Sequence, residues 1–568
     1  MTDHQATSTV PDGFYTWTYL YAGILLLLFS VLVGRLYYLQ IHKHQSYASQ
    51  RSDQTEQVRK KDAPRGSIFD DRGRLLVASQ LRMSVYADPG LVKTPEKTAT
   101  ALAQLLDVDK ASLQEKLSRE EDRFIWVKRR VTPSVAARVR QEEFRGVRFR
   151  REFDRRYPHG DLAAHVLGMV GSNRQGLGGV ELQYDDALTG NPARFKYTRD
   201  GTGKLLYASA MQDQVRATGG SDMRLTINLT LQQIVEQELN RLTDKHSPNW
   251  ASVVVINPSN GAVKALANRP TFEPGAYGNS TESERRNRAI TDPVEPGSSL
   301  KPFVMAAALE EGLVTPESRI FCENGQWRYR TRLLHDYKSF GALSATEVIS
   351  KSSNIGMAKI GVELGGQLRP WIKRFRFGEP TGIALPGEDP GVVQSPSDWN
   401  EIYTQTSVPM GHEILTTPLQ VVNAFSVFAN GGYLVQPKII RKVGDERYVR
   451  ERMTGKRVLD TSTVSKMRDM MRKVVTDGTG TAAQSDLIRI AGKTGTSKKY
   501  TDKAKYLSVF VGFAPVHDPE LVVGGFVDEA EEGYAGGQVV GPMVRRIFER
   551  ASQFRNMNLI NSSRTSKK

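Results

Sequence analysis

The sequence predicts an α+β protein tethered to a membrane by one N-terminal helix. Three observations lead there: a single long apolar stretch near the start, β-like runs at both ends of residues 223–553, and helix-like apolar spacing between those runs. Strands and helices segregated in this way build one sheet fed from both ends of the domain and covered by helices. A chain of 568 residues exceeds one ordinary core, so two or three domains are expected. Hydrophobic residues at 39% and charged residues at 25% exclude a disordered or many-times-spanning chain.

The apolar stretch comes first. Residues 13–34 are 22 consecutive uncharged positions, with an aliphatic centre at 24–29. As a helix this measures roughly 33 Å, enough to cross the hydrocarbon core of a bilayer. Trp17, Tyr19, Tyr21, Tyr37 and Tyr38 flank it as interfacial aromatics do. A cleaved signal peptide needs a basic start and a small-residue cleavage site, and neither is present. An uncleaved single-span anchor over 15–41 is therefore expected, behind a short cytoplasmic tail at 1–14. Flanking charge points the other way: no Lys or Arg precedes the span, whereas Arg35, Lys43 and Arg51 follow it. By charge alone the C-terminal part stays inside. Long domains translocate despite flanking charge, so the chemistry of the site decides the side.

Residues 42–222 read as a polar, Arg-rich module, strand-like at 74–78, helix-like at 104–117 and 133–145, with turns such as 157–160. Residues 223–553 read as the second domain, ahead of a polar tail at 554–568. Its elements begin with a strand at 224–228, an amphipathic helix at 229–242 and a hairpin formed by 251–256 and 262–267. They end with paired β runs at 507–513 and 521–527 and a last helix at 539–553.

Net charge is +16. Nucleic-acid binding would bring zinc-finger spacing or an aromatic-rich RNA-binding signature, and neither occurs. The charge instead suits anionic lipid headgroups or an acidic wall polymer. The one cysteine, Cys322, forms no intrachain disulfide and lacks thiol-protease flanks, so it reads as a buried, inert thiol. No metal cluster is seen and no cofactor is expected.

Chemistry concentrates in three motifs. Glu295-Pro-Gly-Ser298-Ser-Leu-Lys301 opens an apolar run that reads as a buried helix beginning near Ser298. Positions i and i+3 share a helix face, so Ser298 meets Lys301 whereas Ser299 does not. A helix N-terminus also favours negative charge developing on that serine. Ser350-Lys-Ser352-Ser-Asn354 then offers a hydroxyl and an amide just before another helix. Lys493-Thr494-Gly495-Thr496 supplies a cation at a strand start, beside a glycine that lets backbone approach a ligand. Each motif is common singly. In this order, at separations of 54 and 141 residues, they form a strong signal.

The triplet resembles that of the penicillin-binding proteins and serine β-lactamases. Arg65-Gly-Ser-Ile-Phe-Asp70, Arg156-Tyr-Pro-His-Gly160 through Gly168, Gly179-Val-Glu181 and Gly34 to Gln40 resemble the N-terminal module of class B members. Thr417-Pro-Leu-Gln420 and Asn430-Gly-Gly432 are also similar to the family, so the resemblance covers about residues 20–553. Glu-Pro-Gly-Ser, without a C-terminal repeat domain, resembles the division-specific, FtsI-like branch. Two positions depart: Asp71 stands where Arg usually follows the first Asp, and Gly411-His412-Glu413 replaces Gly-x-Gly.

The resemblance implies a pedestal module and an antiparallel sheet with helices on both faces. It implies a D,D-transpeptidase that cross-links peptidoglycan stem peptides through an acyl-serine. Ser298 is then the nucleophile, Lys301 the general base and Ser352 the proton relay. Asn354 holds Lys301 and the substrate backbone, Lys493 is the second cation, and Thr494, Gly495 and Thr496 bind substrate. The N–H groups of Ser298 and Thr496 become the oxyanion hole. A free lysine titrates near 10.4, so burial beside Lys493 must bring Lys301 to about 7–8. Implied partners are β-lactams, the cytoplasmic membrane, a SEDS-type (FtsW-like) glycosyltransferase and other divisome proteins, with the catalytic domain outside at the septum. Alternatives are an elongation transpeptidase of the same class and a non-catalytic division scaffold. A β-lactamase would need a group that activates deacylating water, and a β-lactam sensor a cytoplasmic signalling part.

Overall fold

The computed structural model describes residues 13–47, 56–199, 205–208, 218–448, 455–499 and 505–553. Arg51, most of the expected cytoplasmic tail and the polar tail at 554–568 lie outside these residues. Packing divides the chain into two compact units, residues 1–63 with 191–218, and 64–190 with 219–568.

The first unit holds the apolar helix. Gly13–Tyr37 is α-helical and runs into a π-helical turn, Tyr38–His42. Among the described residues Thr16–His42 is the one helix long and apolar enough to cross a membrane. Leu25 to Leu28 are exposed along it. An apolar surface of this size, bare of protein, fits lipid. The same unit carries a three-stranded antiparallel sheet, Glu56–Lys61, Ala193–Arg199 and Leu205–Ala208, with the middle-numbered strand in the centre.

The second unit is built on two sheets. One has five antiparallel strands in the spatial order Val263–Arg269, Trp250–Ile256, Leu521–Asp528, Tyr506–Ala514 and Ala491–Lys498. Strand 250–256 pairs directly with 521–528, so the two ends of the domain meet in the sheet as expected. Both of those strands are buried at every position, which is why they read as unbroken apolar runs. Helices cover both faces. Leu229–His246 and Gly541–Ser552 pack on one through Leu231, Val235, Leu239, Val544 and Phe548. Lys301–Glu310, Pro418–Ala429 and Thr461–Asp477 pack on the other. Phe303, in the first turn of the first of these, meets Phe375, Phe377 and Phe425 at 5.0, 5.1 and 5.3 Å between rings. Edge-to-face contacts of this kind hold the helix at a fixed depth.

The other sheet joins the two regions of sequence. Ile68–Phe69 runs parallel to Met223–Leu225, which pairs with Ile440–Val443. On its other side Ile68–Phe69 pairs with the long strand Leu75–Ala87, flanked by Ile125–Val131 and Val147–Arg156. The unexpected Asp71 has a use here. It meets Lys264 Nζ at 3.1 Å and accepts from Asn228 at 3.0 Å, tying the Arg-rich region to the catalytic domain.

The N-terminal motifs converge on one buried charge cluster. Glu181 is fully buried and accepts from Arg65 Nε at 2.5 Å and Arg155 Nε at 2.7 Å. Arg65 Nη1 also reaches Asp185 at 2.6 Å.

Three helices differ from expectation. The single helix expected at 104–117 is two, Pro95–Leu106 and Lys110–Leu117. Asp107 turns left-handed at φ 51° and Asp109 caps the second helix by accepting from Ser112 N at 2.7 Å. Short acidic side chains compete with helix continuation in this way. Apolar spacing crosses the break because Leu102, Leu106, Leu113 and Leu117 share one core. The helix at 133–145 stops at Gln141, before Glu143 turns left-handed. The last helix is likewise two pieces, Gly536–Val539 and Gly541–Ser552, the second with Pro542 in its first turn.

Glu181→Gln leaves two buried guanidiniums without their shared carboxylate. Denaturant unfolding in detergent should show a loss of about 3–5 kcal/mol.

Candidate active site

Gly297 enters the site left-handed, at φ 53°, a conformation that favours glycine. Its N–H donates to Gly411 O at 3.1 Å. The chain then makes a 3₁₀ turn, Gly297–Leu300, that continues into helix Lys301–Glu310. This puts Ser298 one turn before Lys301. Ser299 is buried and donates to Pro296 O at 2.6 Å, whereas Ser298 is only half-buried. Of the two hydroxyls, Ser298's is the one open to a ligand.

Lys301 and Lys493 are both fully buried, with Ser352 Oγ between them. Lys301 Nζ donates to Ser352 O at 2.6 Å and Asn354 Oδ1 at 2.8 Å, and lies 3.2 Å from Ser352 Oγ. Lys493 Nζ donates to Ser352 Oγ and Thr494 O, each at 3.0 Å. Burial brings Lys301 down to about 7, against an opposing pull from Asp336. Burial and then the charge of Lys301 lower Lys493 as well. A neutral amine has two N–H groups and one lone pair. Two acceptors take the N–H groups of a neutral Lys301, and its lone pair then faces the Ser352 hydroxyl.

Ser352 is held left-handed at φ 58°. Such strain in a non-glycine residue costs about 1–3 kcal/mol and persists only where the surroundings enforce it. Here Lys301 holds its carbonyl and Lys493 its hydroxyl. The next residue, Ser353, caps helix Asn354–Leu364 by accepting from Gly356 N at 2.9 Å. Asp336 completes that cap: it accepts from Ser353 Oγ at 2.7 Å, from Ile355 N at 3.1 Å and from Asn354 N. Sequence reasoning missed Asp336, which follows strand Arg332–His335 with no motif around it. Cys322 lies behind this cap, buried, 3.4 Å from Ser353 Oγ, and burial pushes its thiol up.

Ala491–Lys498 is an edge strand, and Gly495 brings it against the Ser298 turn. A Cβ on Gly495 would stand 3.0 Å from Pro296 O and 3.4 Å from Ser299 N. Thr494 Oγ1 pairs with Thr479 Oγ1 at 2.6 Å, and Thr496 Oγ1 accepts from Gly536 N at 3.2 Å. Lys301, Ser352, Asn354, Lys493 and Thr494 thus meet through direct hydrogen bonds, and Ser298, Gly495 and Thr496 lie on the adjoining turn and strand. Glu295, also missed, joins three segments: it meets His412 Nδ1 at 2.9 Å, accepts from Glu413 N at 3.2 Å and lies 3.5 Å from Ser497 Oγ. Glu413 is left-handed at φ 58°, where a glycine would be unstrained. Its carboxylate accepts from Thr404 Oγ1 at 2.7 Å and helps fix the loop. Among the described residues no group of His, Cys, Asp and Glu is arranged to hold a metal.

A half-buried serine one turn before a buried lysine, at the edge of a helix-covered antiparallel sheet, places the protein among the serine acyl-transfer enzymes. Comparisons agree. Residues 251–549 match the penicillin binding protein transpeptidase domain, and residues 60–225 the penicillin-binding protein dimerisation domain. The chain is similar to stage V sporulation protein D of Bacillus subtilis, 32% identical over 92% of this chain and 84% of that one. It is also similar to the peptidoglycan D,D-transpeptidase FtsI of Escherichia coli, 29% identical over 96% and 93%. The crystal structure of penicillin binding protein 2X from Streptococcus thermophilus shares the fold, with a TM-score of 0.73 at 22% identity over 90% and 82%. The chain belongs to the class B penicillin-binding protein transpeptidases.

Lys301 holds its proton to about pH 7 when folded and to about 10.4 when free. Between those values the unfolded chain carries the extra proton, so this group makes stability rise with pH and adds nothing further below 7. Lys301→Met removes the effect. Its stability relative to wild type should be about 3 kcal/mol more favourable at pH 7 than at pH 10, read by denaturant unfolding at both.

Proposed function

We propose that the protein cross-links peptidoglycan stem peptides on the outer side of the cytoplasmic membrane, at the division septum, through an ester on Ser298. The observation that carries this reading is Lys301, buried, near neutrality, with both N–H groups engaged beside a half-buried serine. Ser298 Oγ attacks the penultimate D-alanine carbonyl while Lys301 takes its proton. Ser298 and Thr496 N–H groups receive the developing oxyanion, a stabilisation whose loss costs on the order of 10²–10³ in rate. Ser352 passes the proton to the leaving amine of the terminal D-alanine. Asn354 aligns Lys301 and the donor peptide, while Lys493, Thr494 and Thr496 receive the terminal carboxylate. An amine from a neighbouring stem then takes the acyl group and frees Ser298.

A β-lactam offers the same serine a strained amide and stays attached as an ester. The wall substrate requires the domain outside, despite the basic residues that follow the anchor. FtsI of Escherichia coli supports a division role, and a SEDS-type glycosyltransferase with other divisome proteins are the partners that role calls for.

Ser298→Ala should abolish labelling by fluorescent penicillin while the protein stays folded by circular dichroism. Lys301→Arg should fail equally, because arginine keeps its proton. Wild-type acylation should rise through about pH 7 and then level, as Lys301 becomes neutral. Persistent labelling of Ser298→Ala would sink the assignment. In cells a fluorescent fusion should collect at midcell, and an even lateral-wall signal would replace division by elongation.

A further inference from the structure

A cavity of about 150 Å³ lies away from the catalytic groove, between strand Val147–Arg156 and the segment Pro274–Asn279. Its wall carries four guanidiniums, Arg65, Arg130, Arg155 and Arg174, against one carboxylate, Asp154. Asp154 is itself flanked by Arg130 at 3.7 Å and Arg156 at 3.9 Å. Arg65 is spent on Glu181 and Asp185, as described above.

Three other wall atoms are buried donors with no acceptor among the described protein groups: Arg130 Nε, Arg155 Nη2 and Tyr157 Oη. The rest of each side chain is pinned. Arg155 is 7% exposed, bonds Glu181 through Nε, and donates from Nη1 to Gly66 O at 2.8 Å. Arg130 has a left-handed backbone at φ 56° and donates from Nη2 to Ser172 O at 3.1 Å. Burial, then the charge of Glu181, pushes the Tyr157 phenol far up against the pull of Arg155 and Arg65, so it stays protonated with Arg155 beside it. Fixed donors without acceptors are costly when buried. Two guanidiniums and a phenol converging on one space call for an anionic acceptor, and a carboxylate suits the planar guanidinium fork. Phe153, Val170 and Pro274 add an apolar wall for the body that carries it.

We propose that this cavity binds the carboxylate of an amino-acid-sized or peptide-terminal acid, which would bridge the N-terminal module and the catalytic domain. The motifs around Arg65 and Tyr157 then serve a ligand as well as the fold.

Isothermal titration of the full chain in detergent with N-acetylglycine, at constant ionic strength, tests this. Wild type should bind. Tyr157→Phe, which deletes one oxygen, and Arg155→Lys should each weaken binding about tenfold, as expected for hydrogen bonds to a charged group. If Arg155→Lys fails to fold, Tyr157→Phe decides alone. Thr494→Val with Thr496→Val, in the catalytic groove, should leave the affinity unchanged. No heat of binding to wild type, equal affinity in Tyr157→Phe, or loss only in the threonine variant would each overturn the proposal.

Discussion

Two lysines buried against one serine hydroxyl set the terms for the rest of the catalytic domain. Water would solvate both ammonium groups, and the fold removes that water completely. Bringing a lysine from about 10.4 to about 7 disfavours its charged form by roughly 4–5 kcal/mol. That is comparable with the whole net stability of many domains, about 5–15 kcal/mol. The surrounding core therefore has to be rigid and large. This accounts for a helix at Lys301–Leu309 buried on every side, for the ring of aromatics on Phe303, and for sheet strands apolar on both faces.

The same demand puts unusual backbone at the site itself. Gly297, Ser352, Gly411 and Glu413 are all left-handed, and all lie on segments that touch the site. Each is over-determined by contacts from elsewhere: Gly297 by Gly411 O, Ser352 by both lysines, Glu413 by Thr404 and Glu295. Loops held in this way place their atoms as firmly as helices do. Lys301, Ser352 and Lys493, from three distant stretches of chain, can then keep hydrogen-bond distances.

Much of this was legible in the sequence because its signals are local. The i, i+3 relation of Ser298 and Lys301, the anchor's unbroken apolarity, and the β runs near 251 and 521 need only a few neighbouring residues to read. Asp336 and Glu295 needed more. Asp336 acts on a helix that begins 18 positions later, and Glu295 on a loop more than a hundred positions away. Neither distance leaves a period or a spacing behind. Asp107 misled for the opposite reason: shared burial of Leu106 and Leu113 kept a helical rhythm across a true break. The shared sheet through Ile68–Phe69 and Met223–Leu225 was equally hidden, since strands of two and three residues carry too little alternation to be seen.

The lysines also bear on whether this protein could be a scaffold that has merely kept its family's fold. A buried charge without a partner is among the costliest features a core can hold, and an apolar side chain of similar volume in its place often stabilises. A chain relieved of catalysis would gain by changing Lys301 to methionine or leucine and letting Ser352 relax from its left-handed backbone. This chain does neither. It keeps both lysines dry, gives Lys301 two acceptors and no carboxylate, and leaves Ser298 half-open beside it. A carboxylate partner would have made Lys301 a stable cation and a poor base. Amide and carbonyl oxygens satisfy its N–H groups without fixing its charge, and that choice suits proton transfer rather than structural support.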